Sequence, residues 1–245
     1  MTHRFDRRRA IAGFGTVSLG ALLSACGGGD GATTTSVPTT DGGSATVEPR
    51  GPGQARGDLF DQAGSCRVAA EQAEGPFYFD VDSIRSDITE GRPGRRLRLA
   101  IRVRDAERCE PLPDAVVDIW HCDASGVYSG FGEGEGEGEG ERFLRGAQVT
   151  DANGIVEFTT IYPGWYPGRT PHIHAKVHLD RETALTTQLY FPEGASDEVY
   201  RDPPYEPGRD QRNEADGLFD ASLVLTLRRD GDGHLGAIGL DVERA

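Results

Sequence analysis

The sequence has few basic residues for its size. It contains 26 Lys and Arg against 40 Asp and Glu, so its formal net charge is -14 at pH 7. Proteins that bind nucleic acid neutralise phosphates with a basic surface. The charge balance therefore excludes nucleic acid as an expected partner.

The chain also lacks an apolar run long enough to span a bilayer. The N-terminal candidate, residues 10–23, is only mildly apolar and directly follows Arg7, Arg8 and Arg9. A short apolar segment after basic residues is typical of a signal peptide. The adjacent arginines favour export by the twin-arginine route.

A lipoprotein cleavage box, L-S-A-C, ends the predicted signal at Cys26. We expect residues 1–26 to be a signal with this box, and Cys26 to be acylated after cleavage. The protein would then be a cell-envelope lipoprotein that faces the periplasm or the exterior. The alternative is a cleaved secretory signal with an incidental cysteine.

Residues 27–58 contain no aromatic residue and are rich in Gly, Thr, Ser and Pro. Such a segment cannot bury enough apolar surface to offset the entropy lost on ordering. It is predicted to be a flexible, disordered tether. Residues 59–245 have the length of one folded domain.

Cysteine is scarce: after Cys26 there remain Cys66, Cys109 and Cys122. An exported protein favours one disulfide and leaves one thiol over. If residues 114–121 form an extended strand, Cys109 and Cys122 lie too far apart to bridge. We therefore expect Cys66 to pair with one of the other two.

No part of the predicted domain shows a long helical period, whereas alternation of apolar and polar residues is frequent. About eight strands at the spacing of a β-sandwich predict an all-β fold with long loops. Short helical turns are expected near 65–72 and 193–200. The predicted strands are residues 97–105, 115–122, 143–150, 155–160, 171–179, 185–191, 221–227 and 236–242.

A strict Gly-Glu alternation occupies residues 132–141. Like-charge repulsion and glycine entropy predict a disordered, solvated loop there. A calcium-binding role is the alternative.

An H-I-H sequence on a predicted strand is the first candidate for chemistry. His172 and His174 point to the same face of the strand and lie close enough to share one metal ion. The preceding loop is rich in Pro and Gly, and it can direct Tyr166 and Arg169 towards that ion. The alternative is a solvated or hydrogen-bonded histidine pair.

A second segment, W-H-C-D-A-S-G-V-Y, runs from a buried strand through a turn to Tyr128. Alone, such a tyrosine is more often a packing residue. With Tyr166, His172 and His174 it completes a set of two phenols and two imidazoles. Phenolates are hard anionic donors, so two of them favour trivalent iron over zinc or a divalent ion.

These segments resemble the intradiol ring-cleavage dioxygenases, which include catechol and protocatechuate dioxygenases. Both the order and the spacing of the motifs match. The resemblance covers about residues 74–191 and rests on E-G-P-F-Y, W-H-C-D-A-S-G-V-Y, T-D-A-N-G-I-V-E-F-T-T-I, P-G-W-Y, R-T-P-H-I-H and T-T-Q.

The resemblance implies a two-sheet antiparallel β-sandwich and a non-haem iron(III) centre. The implied iron ligands are Tyr128, Tyr166, His172 and His174, and Tyr166 also takes up a substrate proton. The implied catalytic residues that do not bind iron are Arg169 and Gln188.

The implied activity is cleavage of a catechol-type aromatic diol by O2 between its two hydroxyl-bearing carbons, giving a cis,cis-muconate-type diacid. Such an oxidoreductase would serve aromatic compound catabolism. Catechol dioxygenases carry a helical dimerisation segment before the sandwich, and here the tether takes that place. Their mode of dimerisation therefore does not carry over, and the oligomeric state stays open.

Two other interpretations remain open from the sequence. The segment 149–166 is also similar to carboxypeptidase-regulatory-like modules, which are non-catalytic β-sandwiches. Those modules lack the H-I-H strand and the turn that carries Tyr128. The second alternative is a relative that binds iron and is catalytically inert.

Overall fold

The computed structural model describes residues 35–38, 44–47, 59–60, 66–81, 83–131, 140–179 and 182–244. The predicted signal and lipoprotein box lie outside these residues, as do most of the tether and of the Gly-Glu repeat. The chain divides into two compact units, Met1–Gly51 and Pro52–Ala245. In the described part, no helix is long and apolar enough to cross a membrane.

The first unit contains a two-stranded antiparallel ladder. Strand β1 (Thr35–Pro38) pairs with β2 (Ser44–Val47). This pairing was not predicted from the sequence. For the remainder of residues 27–58 the tether stays a prediction.

The second unit contains eight of the described strands, as the sequence predicted. Short helical segments follow them or separate them, and α1 (Glu193–Val199) confirms one of the two predicted helical turns. The strands are β3 (Arg96–Asp105), β4 (Val116–Trp120), β5 (Arg145–Val149), β6 (Ile155–Ile161), β7 (His172–Leu179), β8 (Glu182–Tyr190), β9 (Thr226–Asp230) and β10 (Gly233–Val242).

The eight strands form two four-stranded sheets, in the orders β6-β3-β10-β9 and β5-β4-β7-β8. All neighbours pair antiparallel except β3 and β10, which run parallel from Leu97↔His234 to Asp105↔Val242. The all-β sandwich is thus confirmed, with one parallel pair inside it.

The core lies between the sheets and explains the alternation in the sequence. In β3 and β7 every second residue is apolar and fully buried, because side chains of a strand alternate between its faces. The facing apolar sets are Leu97, Leu99, Ile101 and Val103 on β3 and Ile173, Ala175 and Val177 on β7. The histidines of β7 therefore lie on the outer face of the second sheet.

Two predicted elements were wrong. Residues 221–227 do not form one strand, because Ala221–Leu223 is a 3-10 helix with Asp220 as its N-cap and β9 begins only at Thr226. The described residues from Cys66 to Gln72 form no helix; this segment is held by extended-chain contacts such as the Val68–Asp241 bridge.

The disulfide joins Cys66 to Cys109, with Cα atoms 5.7 Å apart. This confirms that Cys66 pairs with one of the two candidates. Cys122 is free and buried, and its thiol donates to the carbonyl oxygen of Gly164 at 3.5 Å. Burial raises the pKa of this thiol, so it stays protonated near neutral pH.

Candidate metal centre and active site

A row of four side chains crosses the outer face of the second sheet in register. Arg145 pairs with Trp120, Trp120 with His174, and His174 with Gln188. Residues paired directly across strands project on the same face with Cβ atoms about 5 Å apart. The sheet itself therefore places Gln188 beside His174.

The two histidines of β7 converge with Tyr166. Nε2 of His172 lies 3.2 Å from Nε2 of His174 and 3.1 Å from the hydroxyl oxygen of Tyr166. Nδ1 of His172 lies 2.6 Å from the carbonyl oxygen of Thr170, which can only accept a hydrogen bond. Nδ1 therefore carries the proton, and Nε2 keeps its lone pair towards the convergence point.

Burial keeps both imidazoles neutral. It lowers the pKa of His172 to about 3, with the Arg169 guanidinium as the second cause. Burial also lowers the pKa of His174 well below its usual value, followed by the effect of His172. Neutral imidazoles are the form that binds metals.

Tyr128 lies beside these residues, with its ring centroid 5.9 Å from that of Tyr166 and 6.2 Å from that of His174, and it is 3% exposed. By distance and angle its hydroxyl makes no hydrogen bond among the described residues, although the Tyr166 hydroxyl is close enough to influence it. Burial raises its pKa well above the usual value, and the nearby Cys122 and Tyr166 add to the rise. Buried polar atoms normally have a partner, so an unpaired phenol beside two neutral imidazoles is a position where a bound ion would supply one.

Tyr128 and Tyr166 come together because two turns pack backbone to backbone. The amide of Gly164 donates to the carbonyl oxygen of Asp123 at 2.9 Å. A Cβ on Gly164 would lie 2.4 Å from that oxygen, and one on Gly126 would lie 2.5 Å from the carbonyl oxygen of Trp165. Only glycine permits so close an approach, which explains glycine at both turns.

The segment before β3 covers the site from above. Phe77 stacks on Tyr128 with ring centroids 4.4 Å apart and an interplanar angle of 16°. Gly75 has φ +74°, and a Cβ there would lie 3.2 Å from Cε1 of His174. The E-G-P-F-Y motif therefore packs directly against two of the proposed ligands.

Arg169 and Gln188 lie side by side at the rim of the site. Nη2 of Arg169 donates to Oε1 of Gln188, and Nη1 lies 3.3 Å from Nε2 of His172. Nε2 of Gln188 donates to the carbonyl oxygen of Ala73 at 2.9 Å. The structure thus brings all six sequence-predicted residues to one place.

Two further residues around this site, Asp216 and Tyr190, were not predicted from the sequence. Asp216 accepts a hydrogen bond from Nε of Arg169 at 2.9 Å. The hydroxyl of Tyr190 donates to Leu218 at 2.8 Å and lies 3.4 Å from Oε1 of Gln188. Asp216 follows a 3-10 turn and has no motif around it, so no signal in the sequence pointed to it.

His121, next to Trp120 in the motif, does not belong to the set. Its Nε2 lies 2.7 Å from Oγ1 of Thr160 and its Nδ1 lies 2.8 Å from the carbonyl oxygen of Cys122. Both ring nitrogens are therefore hydrogen-bonded within the sandwich. Burial lowers its pKa to about 4.

The donor set fits ferric iron better than zinc or calcium. Within the described residues, no group of three or more His, Cys, Asp or Glu side chains could hold a metal. What converges instead is two imidazoles and two phenols, and phenolates are hard anionic ligands. The fold and the site together define a β-sandwich with a candidate tyrosine–histidine metal centre on its outer face.

Comparison with known proteins agrees with this description. Residues 73–212 match the model of a family described as Dioxygenase. An intradiol ring-cleavage dioxygenase from Tetranychus urticae is 37% identical, with a TM-score of 0.68, over 73% of this chain and 95% of that one. The dioxygenase domain of a dioxygenase carbohydrate-binding protein fusion from Streptomyces sp. SirexAA-E is 35% identical, with a TM-score of 0.57, over 73% of this chain and all of that one.

The chain belongs to the intradiol ring-cleavage dioxygenases. Members of this family are non-haem iron(III) enzymes. Among curated proteins, the protocatechuate 3,4-dioxygenase beta chain of Burkholderia cepacia is 33% identical over 54% of this chain. Chlorocatechol 1,2-dioxygenase of Rhodococcus opacus is 32% identical over 40% of it. The chain spans 61% and 44% of the length of these two relatives.

Proposed function

We propose that this protein is an iron(III) dioxygenase that cleaves a catechol-type ring with O2 between its two hydroxyl-bearing carbons. The product would be a cis,cis-muconate-type diacid. One observation carries the proposal: Nε2 of His172, a neutral imidazole, lies 3.1 Å from the hydroxyl oxygen of Tyr166 and 3.2 Å from Nε2 of His174. A second, unpaired phenol is buried beside them.

Four residues would hold the iron: Tyr128, Tyr166, His172 and His174. When bound, ferric iron supplies a Lewis acid that favours the ionised forms of phenols and of the substrate diol. The raised pKa values of Tyr128 and Tyr166 show that burial alone opposes ionisation of both phenols. The proposed site therefore depends on the metal for its charge balance.

The two phenols differ in what they can do. Tyr128 is closed in by the Phe77 ring, whereas the Tyr166 hydroxyl lies beside both His172 and the Arg169 side chain. Ionised as an iron ligand, Tyr166 would be the phenolate with room to accept a proton from an incoming diol. Tyr128 would remain in place as an anionic ligand.

Arg169 and Gln188 would act on the substrate and not on the metal. A guanidinium cannot lose its charge near neutral pH, so Arg169 is a fixed cation beside the ring-binding position. It can stabilise negative charge that develops on the ring as oxygen attacks. Gln188 holds the guanidinium from the other side through its Oε1 atom.

The test is purification with iron, followed by a visible spectrum and by oxygen uptake against a panel of catechols. We expect a coloured protein that consumes one O2 per ring cleaved and forms a diacid product. A His174→Ala variant is the matched control and should lose iron and turnover together. Iron binding without turnover of any catechol would favour the inert relative.

We also propose that the protein is exported and anchored through a lipid at Cys26. The support is the position of Arg7, Arg8 and Arg9 before an apolar run that ends in L-S-A-C. An enzyme at that location would act on aromatic diols outside the cytoplasm.

A further inference from the structure

Asp216 anchors the arginine of the proposed active site. Its Oδ2 atom accepts from Nε of Arg169 at 2.9 Å and from the backbone amide of Thr170 at 3.0 Å. Its Oδ1 atom accepts from the amide of Leu218 at 2.9 Å. One carboxylate thus fixes both the side chain of Arg169 and the backbone that leads into β7.

The Asp216 carboxylate is buried, unlike the carboxylate of an ordinary surface ion pair. Asp216 is 5% exposed. Burial alone would raise its pKa, but hydrogen bonds from Leu218, Thr170 and Arg169 outweigh burial and lower it. Asp216 is therefore ionised whenever the protein is folded near neutral pH.

Asn213, three residues before Asp216, connects the same parts of the chain. Asn213 accepts from Oγ1 of Thr170 at 2.7 Å and donates through Nδ2 to the carbonyl oxygen of Phe191 at 2.9 Å. The segment that carries Asn213 and Asp216 therefore joins the end of β8 to the start of β7. Those strands carry Gln188 and the two histidines.

This anchor decides which nitrogens of Arg169 face the site. With Nε bound to Asp216, the remaining two nitrogens are turned towards His172 and Gln188. A guanidinium is planar and rigid, so fixing Nε and one terminal nitrogen fixes the third. Without the carboxylate, only the contacts of the two terminal nitrogens with His172 and Gln188 would hold the guanidinium.

We propose that Asp216 is a positioning residue for the ring-cleavage reaction, which it serves by holding Arg169 in its active orientation. The inference rests on the proposed function. Asp216 lies beyond residue 212, where the family match ends, so the match itself assigns it nothing.

The test combines Asp216→Asn with Arg169→Ala in the full chain. Asparagine keeps the shape but removes the negative charge, so the hydrogen bond from Arg169 loses its charge assistance even where the amide oxygen still accepts it, and one of the three N–H donors is left facing the amide group. We expect kcat for catechol to fall about 10- to 100-fold, as for other partners that orient a functional side chain. Iron content and KM should stay close to wild type.

The double variant separates positioning from a general structural role. If Asp216 acts through Arg169, adding Asp216→Asn to Arg169→Ala should lower kcat by less than about threefold further. Glu214→Gln, which removes an exposed charge from the same segment, is the matched control and should change nothing. Losses that multiply in the double variant would overturn the proposal.

A readout independent of turnover distinguishes this inference from the proposed function. In the iron-free chain, the Nε–H resonance of Arg169, assigned by its absence in Arg169→Lys, should exchange slowly with solvent. Asp216→Asn should accelerate that exchange at least tenfold. Unchanged exchange would refute the anchor. If the wild type turned over no catechol, the proposed function would fail, and the exchange rates alone would decide the role of Asp216.

Discussion

Trp120 lies flat against His174: their ring centroids are 4.8 Å apart and their planes differ by 9°. The two residues are direct partners between β4 and β7. Nδ1 of His174 has no hydrogen-bond partner within the described residues. The orientation of this imidazole is therefore set by packing, unlike that of His172, which is set by the carbonyl of Thr170.

Gly75, in the segment before β3, also lies against the His174 ring. Gly75→Ala would place a methyl group 3.2 Å from the His174 ring. We expect the ring to shift and iron affinity to fall about 10- to 100-fold.

Gly91→Ala is the matched control: its φ is also +74°, and nothing described lies within 4 Å of the added Cβ. Both variants should lose about 1 kcal/mol of stability from the left-handed backbone, but only the first should lose iron. Equal iron contents, measured after dialysis, would contradict this role of Gly75.

Tyr128→Phe removes a hydroxyl that has no hydrogen-bond partner in the described structure. The iron-free variant should therefore be at least as stable as wild type, while its iron form loses or strongly shifts the visible tyrosinate band. Tyr162→Phe is the opposite case, because its hydroxyl bonds Oγ of Ser196 at 2.7 Å. It should lose about 1 kcal/mol of stability and keep the band. Visible spectra measure the band, and thermal melts measure the stability of both variants. An unchanged band in Tyr128→Phe would remove Tyr128 from the ligand set.

Arg169→Ala should keep iron and colour and still bind catechol, because the side chain is not a proposed ligand. Turnover should fall about 10²- to 10³-fold, the usual cost of losing one preorganised donor. The exposed Arg212, which pairs with Glu193 and Asp197, provides the control Arg212→Ala. Single-turnover oxygen kinetics measure both, and near wild-type rates in Arg169→Ala would make that arginine a structural residue.

Asp118 should make stability fall as the pH rises. Burial, and then the nearby Asp80, raise its pKa from 3.8 to about 7, against the opposing effects of Tyr78, Lys176 and Arg145. Between these two values the unfolded chain is ionised while the folded chain keeps its proton, so stability is lost as the pH rises from about 4 to about 7. The loss is at most on the order of 4 kcal/mol.

Asp118→Asn removes this dependence. The difference in melting temperature between variant and wild type should grow in favour of the variant from pH 4 to pH 8. The value at pH 4 serves as the internal reference, because pH 4 lies close to the unfolded pKa of 3.8 and most of the loss of stability occurs above it. A difference that does not change with pH would show that Asp118 titrates normally.

Cys26→Ser tests the proposed lipid anchor. We expect the domain to leave the membrane fraction and appear in the soluble fraction of the cell envelope. Fractionation with an antibody against the domain measures the change. A variant that stays with the membrane would show that the L-S-A-C sequence is not a lipoprotein box.

The alternation of apolar and polar residues along the strands predicted most of the sandwich and most of the candidate site. Alternation placed His172 and His174 on the face opposite Ile173, and that is where the structure has them. Gln188 could be identified only through the resemblance. The structure supplies its physical reason, which is the register between β7 and β8.

Other features had no local signal. Apolar residues at 221–227 fit a strand, but Asp220 caps a 3-10 turn there by accepting from Ser222. The parallel pairing of β10 with β3 depends on contacts between distant parts of the chain. Asp216 became part of the site description only when a segment more than 40 residues from Arg169 was seen to fold back onto it.

The parallel pair also governs the order in which the domain can form. Strand β10 lies between β3 and β9, and the ion pair of Arg104 with Asp241 joins residues 137 positions apart. Pairing between such distant residues requires a long loop to close, at a cost in entropy, before any stabilising contact forms. This requirement slows folding. The first sheet thus stays incomplete until β10 has been synthesised. Because both sheets share one core, β10 must be in place before the proposed iron site becomes rigid.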